Sequence, residues 1–132
     1  MINNGKLIFL GTGSSDGVPR VSCLTDPNST CKVCIDAQDP NSKNRRRNTS
    51  VAIKSIDKNG LNRNIIIDAG KTFWESAIKF FPKHDIREIS EMIITHAHAD
   101  AIGGIDYLRD WTNFVQKTVK INLRSQDLES IE

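Results

Sequence analysis

Long apolar runs are missing from this sequence of 132 residues. None approaches the roughly 20 residues of a membrane-spanning helix, and the apolar stretch within MINNGKLIFLGTG is too short for a secretory signal. A cytoplasmic or organelle-matrix protein with no membrane partner is therefore expected. An excess of one charge is missing too. Eighteen lysines and arginines against 16 acidic residues leave +2, too little for net charge to argue for nucleic acid or a membrane surface. There are only 3 cysteines, all between positions 23 and 34. An odd, clustered set excludes complete intrachain disulfide pairing and, in a reducing compartment, points to a metal. What remains is ordinary: 38% hydrophobic and 26% charged residues describe one globular domain over 1–132, with no internal repeat.

KLIFL (6–10) reads as a short buried strand ending in GTGSSDG, a loop able to turn tightly. From there to Asn48 no apolar period is sustained, so 14–48 is expected to be a long polar loop that carries the cysteines and the run KNRRRN. VAIKSI (51–56) and NIIIDAG (64–70), separated by DKNG, form a hairpin signal centred on Asn59-Gly60, the second strand fully buried. TFWESAIKFF (72–81) has the period of an amphipathic helix ending near Pro82. EMIIT (91–95) is the next strand. A helix from about Asp100 to Val115, a strand over 118–123 and a helix with Ser125 as its N-cap complete a mixed α/β layer architecture. The last helix starts without a stop signal, so the chain reads as interrupted there.

ITHAHADAIGG (94–104) places two imidazoles and a carboxylate within five positions. Extended backbone alternates side-chain direction with period two, so His96, His98 and Asp100 are expected to leave a strand end on the same side. Imidazole suits zinc and iron, and a carboxylate adds charge neutralisation while suiting harder divalent ions, so the trio fits zinc, manganese or iron. The other reading of the bare spacing is two surface histidines before a helix capped by Asp100. Placement between an apolar strand and a helix argues for the metal.

With FLGTGSSDG after the first strand, IIIDAG carrying Asp68, and ITHAHADAIGGID, the sequence resembles the metallo-β-lactamase-fold hydrolases. Within them it is similar to the branch, written THxHADAxxGxD, that includes the phosphodiesterase of phosphonate breakdown and its eukaryotic relatives. The resemblance spans essentially the whole chain. It implies an α+β (αβ/βα) four-layer sandwich with the metal site at one edge of two sheets, of which this chain would represent roughly the first half. It also implies that His96 and His98 ligate one metal and Asp100 a second, with Asp68 supporting the site from its strand end. On this resemblance Asp100 and Asp68 would be the catalytic aspartates. From the residues alone, Asp68 reads equally as a turn residue before Gly70. Many superfamily members have a further histidine where Ala101 stands; the similar branch shares the alanine, so a second ion depends on Asp100 and ligands from elsewhere. A third histidine, a bridging aspartate and a last histidine belong to the second half of the family fold. His84 is the one histidine left here, and in FPKHDIRE it reads as a solvated loop residue.

Cys23, Cys31 and Cys34 give C-x7-C-x2-C. A Cys-x2-Cys pair lets two thiolates face one ion at about 2.3 Å, and the third cysteine fits the same ion, leaving a fourth ligand open. The resemblance implies a structural zinc held by three such cysteines and a late histidine; free thiols in a cytoplasmic loop are the alternative. A zinc would explain how a loop of this length is held. Arg45, Arg46 and Arg47 form the one dense basic run, read either as a solvated face or as a site where Arg46 and Arg47, with Asn48, bind a substrate phosphate. Arg109 is expected to pair with Asp106 and Asp110 on its helix, and Trp74 and Trp111 to be core residues.

The expected function is that of a metal-dependent hydrolase, a phosphodiesterase of a small phosphodiester. One or two zinc or manganese ions would lower the pKa of bound water to about 7 and supply hydroxide. The rival is a truncated, non-catalytic relative that keeps a structural zinc and needs a second copy or a completing chain over its open sheet. A third reading, nucleic-acid processing, has RRR as its single support here.

Overall fold

The computed structural model describes residues 3–129. Five strands, β1 (Asn3–Gly11), β2 (Ser50–Ile56), β3 (Asn62–Ile67), β4 (Glu91–Ile93) and β5 (Lys120–Asn122), form one sheet in the order β1-β2-β3-β4-β5. The first three run antiparallel, and β4 and β5 are added in parallel. The change follows from the connections: β2 and β3 are joined by a tight turn, whereas β3 and β4 are separated by a helix that carries the chain back across the sheet. Asp57 closes the turn, its Oδ1 accepting from the N–H of Asn59 at 2.8 Å and of Leu61 at 3.0 Å.

Register decides which side of the sheet is buried. Ile8, Ala52, Ile66 and Met92 are matched across four strands and all lie in the core. The helix α3 (Phe73–Phe80) and a later helix, α5 (Leu108–Phe114), cover that face. Phe73, Phe81 and Trp111 meet there with ring centroids 5.7–6.1 Å apart, Phe81 edge-on to both of the others and Phe73 tilted against Trp111, favourable contacts on top of their burial. The neighbouring rows point the other way. Leu7, Ile53 and Ile65 form one row, and Phe9, Val51, Ile67 and Ile93 the next. Leu7 is 58% and Phe9 61% exposed, so among the described residues this apolar face is uncovered. The described residues build one sheet with helices on one side, two layers of the expected four.

Four local expectations need correction. The first strand is buried on one face only, since Leu7 and Phe9 lie on the uncovered side. The second hairpin strand is not fully buried: β3 alternates buried Asn64 and Ile66 with half-buried Ile65 and Ile67, because its second face has no cover. The long helix expected over 100–115 is broken into α4 (Ala99–Ile102), a 3-10 turn (Ile105–Tyr107) and α5. The break lets Gly104 dock on the end of β3, its N–H donating to the Ala69 carbonyl at 2.7 Å. A Cβ there would lie 2.4 Å from the Gly70 carbonyl oxygen. The last helix, α6 (Ser125–Leu128), has Arg124 rather than Ser125 at its N-cap position.

The 14–48 segment contains two short helices, α1 (Val21–Thr25) and α2 (Lys32–Asp36). Its ends are tied by reciprocal backbone bonds between Val18 and Arg46, at 2.8 and 2.9 Å, and by the bond from Gly13 N to Arg47 O at 2.7 Å. Among the described residues no helix is long and apolar enough to cross a membrane.

Candidate metal centres

His96, His98 and Asp100 converge: one ligand atom from each lies within 4.8 Å of the others. The route differs from simple strand alternation. β4 ends at Ile93, and the chain then bends, so that His98 sits at the N-cap position of α4 with extended backbone (φ −92°, ψ 154°) and Asp100 falls in the first helical turn. The His98 carbonyl receives the first helical N–H bonds, from Ala101 and Ile102. Ala101, which cannot coordinate, is 1% exposed, and its carbonyl accepts from Ala69 N at 2.7 Å. That position is part of the joint between helix and sheet.

Each member of the group is held by something behind it. Asp68 has a left-handed φ of 61°, a conformation that costs a non-glycine residue about 1 kcal/mol. There its carboxylate accepts from Thr95 N at 2.8 Å and from Thr95 Oγ1 at 2.7 Å. With the hydroxyl proton given to Asp68, the 2.9 Å contact between Thr95 Oγ1 and His96 Nδ1 assigns the ring proton to Nδ1 and leaves the Nε2 lone pair free. Nε2 faces Asp100 Oδ1 at 3.5 Å. The His96 and His98 rings meet edge to face, centroids 4.9 Å apart.

Asp100 Oδ2 accepts from Ser15 Oγ at 3.1 Å. Burial by itself would raise the Asp100 carboxyl; the Ser15 hydroxyl, a backbone N–H and His96 outweigh it and hold the pKa below the usual aspartate value. Gly70 makes room for this residue, since a Cβ at 70 would lie 2.0 Å from the Asp100 carbonyl oxygen. Nearby, Asp127 is 7% exposed and takes two bonds from Arg124, at 2.6 and 3.2 Å. Hydrogen bonding to Arg124 lowers its pKa against burial, with further help from His96 and the Ala97 backbone N–H.

The second group is Cys23, Cys31 and Cys34, whose sulfurs also lie within 4.8 Å of one another. Cys31 sits at the N-cap position of α2. The Cys34 backbone N–H, followed by the other two thiols, pulls the Cys31 thiol down. At Cys23 the Ser29 hydroxyl lowers the pKa, but Cys34 and Cys31 outweigh it and the net shift is upward. His84 lies in a 3-10 turn and belongs to neither group.

The basic run is placed beside the metal group, not within it. Arg45, Arg46 and Arg47 line a small cavity of about 210 Å³ with Asp16, Thr72 and Glu75. Arg46 is exposed and donates to Thr12 Oγ1 at 2.9 Å. Arg47 is half-buried, stacks over Phe80 at 5.5 Å and points Nε at the Leu10 carbonyl. Burial lowers its pKa, Glu75 opposing and Arg45 adding. Asn48 is 2% exposed. Its amide donates to the carbonyls of Ser14 and Ser15 at 3.2 and 2.9 Å, and its Oδ1 accepts from Thr72. With those bonds made, its side-chain amide has no group left for a substrate, which corrects the expected role.

Of the two partners expected for Arg109, Asp106 pairs with it at 2.8 Å. Trp111 is partly buried in the core, but Trp74 is 52% exposed and lines an open groove of about 790 Å³ with Ile78, Phe81, Tyr107 and Trp111. The core expectation for Trp74 is overturned because α3 turns that face away from the sheet.

Sequence reasoning missed Thr95, Ser15, Thr72 and Asp127. Thr95 was signalled by its place directly before His96; the others depend on contacts across the fold.

This sheet, its helices and the His-x-His-x-Asp group at the end of β4 are those of the N-terminal portion of the metallo-β-lactamase fold. A solved structure described as a new diphosphatase from the PhnP family superposes with a TM-score of 0.70 at 27% identity, covering 99% of this chain and 45% of that one. A metallo-β-lactamase, FIM-1 from Pseudomonas aeruginosa in its mono-zinc form, matches with a TM-score of 0.40 and 17% identity over 65% of this chain and 35% of that one. The chain belongs to the family described as anti-Pycsar protein Apyc1, whose model matches residues 46–129. An octanoyltransferase of Porphyromonas gingivalis is 33% identical over 104 residues, 79% of this chain and 18% of that protein. The chain thus spans less than half of the diphosphatase and under a fifth of that curated relative.

Proposed function

We propose that the chain carries the metal-binding edge of a metal-dependent hydrolase acting on a phosphoryl group, most concretely a small phosphodiester. The observation that carries this reading is the convergence of His96, His98 and Asp100, with Thr95 fixing the His96 tautomer that offers Nε2. Such a donor set fits a divalent cation, zinc or manganese, because two neutral imidazoles and one carboxylate combine good affinity with partial charge neutralisation. Bound there, the cation would supply Lewis-acid and water-activating chemistry.

The residues of the chain do the rest. Asp68 and Thr95 orient His96, and Ser15 orients Asp100. Arg46, exposed on the cavity that Asp16 also lines, would attract an anionic substrate, and the diphosphatase that this chain resembles is described by a phosphoryl chemistry in keeping with that. The cysteine group is assigned a structural zinc, for which it offers three of the usual four ligands.

The test is hydrolysis of a chromogenic phosphodiester by the chain with added zinc or manganese, alongside His96→Ala. Loss of both metal binding and hydrolysis in the variant supports the reading; unchanged values in both would refute it. The uncovered face bearing Leu7 and Phe9 favours a second reading, in which the chain is inactive until another β-layer covers that face and contributes ligands. Size in solution with metal stoichiometry separates them: an active, metal-loaded monomer excludes the second.

A further inference from the structure

We infer that Ser15 and Asn48 are positioning residues for Asp100, with Asn48 acting through Ser15. The inference rests on reading His96, His98 and Asp100 as metal ligands.

A carboxylate in the first turn of the four-residue helix α4 has rotational freedom, and the unprotonated His96 Nε2, 3.5 Å from Oδ1, does nothing to restrain it. The Ser15 hydroxyl removes part of that freedom by holding Oδ2 at 3.1 Å, which leaves Oδ1 directed into the ligand group. Orientation of a ligating carboxylate by an outer hydrogen bond is worth about 10–100-fold in metal affinity.

Ser15 is itself on an exposed loop, so the bond is only as good as the loop's anchorage. That anchorage is Asn48. Both amide protons are spent on the loop, at 2.9 Å to the Ser15 carbonyl and 3.2 Å to the Ser14 carbonyl. The amide's own orientation is set from the opposite side, where Thr72 N and Thr72 Oγ1 both lie 3.3 Å from Oδ1 while Asn48 N donates to Thr72 Oγ1 at 2.9 Å. Only an amide meets this demand for two donors and one acceptor; a carboxylate of the same shape would set negative charge against two carbonyl oxygens.

A separate observation places Asn48 against the same aspartate. A Cβ built on Gly70 would lie 2.9 Å from Asn48 Cβ and 2.0 Å from the Asp100 carbonyl oxygen. Asn48 and the Asp100 backbone therefore flank one glycine, with the Ser15 loop closing over the side chain. The buried amide fixes the distance between the loop and the aspartate that it orients.

The experiment is Mn2+ titration of the full chain followed by electron paramagnetic resonance. Manganese suits this nitrogen and oxygen donor set and is disfavoured by the cysteine group. His96→Ala establishes that the signal reports the intended group. Ser15→Ala is expected to weaken Mn2+ binding about ten-fold, and Ser15→Thr, which keeps the hydroxyl, to restore it. Asn48→Asp should weaken binding to a similar degree, and the double variant should lose no more than the worse single one. Should Asn48→Asp fail to fold, Thr72→Val, which releases the Oδ1 side of the amide, replaces it in the same cycle.

Wild-type affinity in Ser15→Ala, or losses that multiply in the double variant, would overturn the inference while leaving the ligand assignment standing. No His96-dependent binding in the wild type would bring down the ligand assignment, and the inference with it.

Discussion

Thr95 grips the Asp68 carboxylate with both its backbone N–H and its hydroxyl, at 2.8 and 2.7 Å, and the same hydroxyl contacts His96 Nδ1 at 2.9 Å. Asp68 therefore reaches the ligand group through one intervening side chain. Asp68→Ala should lower metal affinity at His96 by about 10–100-fold, whereas Asp68→Asn, which keeps an acceptor for the Thr95 N–H, should lose less. Calorimetric metal titration checks the order.

Gly70→Ala places a methyl group 2.0 Å from the Asp100 carbonyl oxygen and 2.6 Å from its carbonyl carbon. Backbone on one side and Cβ of the buried Asn48, 2.9 Å away, on the other leave little to give, so the variant should be destabilised by about 3 kcal/mol. Its metal affinity should fall as well, because the strain is relieved by moving α4. Urea denaturation and metal titration on the same preparation report the two effects.

Glu91 ties β4 to both neighbours. Its carboxylate accepts from Asn122 Nδ2 at 3.0 Å and Lys120 Nζ at 3.4 Å, and pairs with Arg63. The Asn122 bond is the largest influence, burial opposes it, and Lys120 and Arg63 add to a net lowering of the pKa. A carboxyl lowered on folding stabilises the protein above its unfolded pKa, about 4.3, and that stabilisation is lost as pH falls through the folded value. Glu91→Gln should therefore be less stable than wild type at pH 7. The difference should close as the pH drops well below 4, as read by denaturation at each pH.

Zinc removal should loosen the segment that carries α1 and α2. With zinc present, limited proteolysis between 14 and 48 should be slow; a chelator or Cys34→Ser should accelerate it several-fold. In the metal-free chain Cys31, whose thiol is pulled down by the Cys34 N–H, should alkylate before Cys23, whose thiol is raised. Mass spectrometry after brief treatment at pH 7.5 gives the order.

Much of the frame was legible in one dimension because local physics sets it. Two apolar runs with Asn59-Gly60 between them predict the β2–β3 hairpin, and an apolar strand followed by His-x-His-x-Asp predicts three candidate ligands together. The break at Gly103 and Gly104 was not legible: a helical period continues through it, and the reason for stopping is a docking contact with Ala69 on another element. Trp74 was misplaced for a similar reason, since an amphipathic pattern shows that a helix has an apolar face but not how far its neighbours extend to cover it.

The sequence by itself determined which groups are available for chemistry: two imidazoles, a carboxylate and three thiols, each cluster within a span short enough for its members to meet. Tertiary structure alone decided what stands behind them. Ser15 and Asp100 are 85 positions apart, Asn48 and Thr72 are 24 apart, and Asp68 and Thr95 are 27 apart. Hydrogen bonds over such separations exist only once the sheet has brought its strand ends to one edge, so no local pattern could announce them.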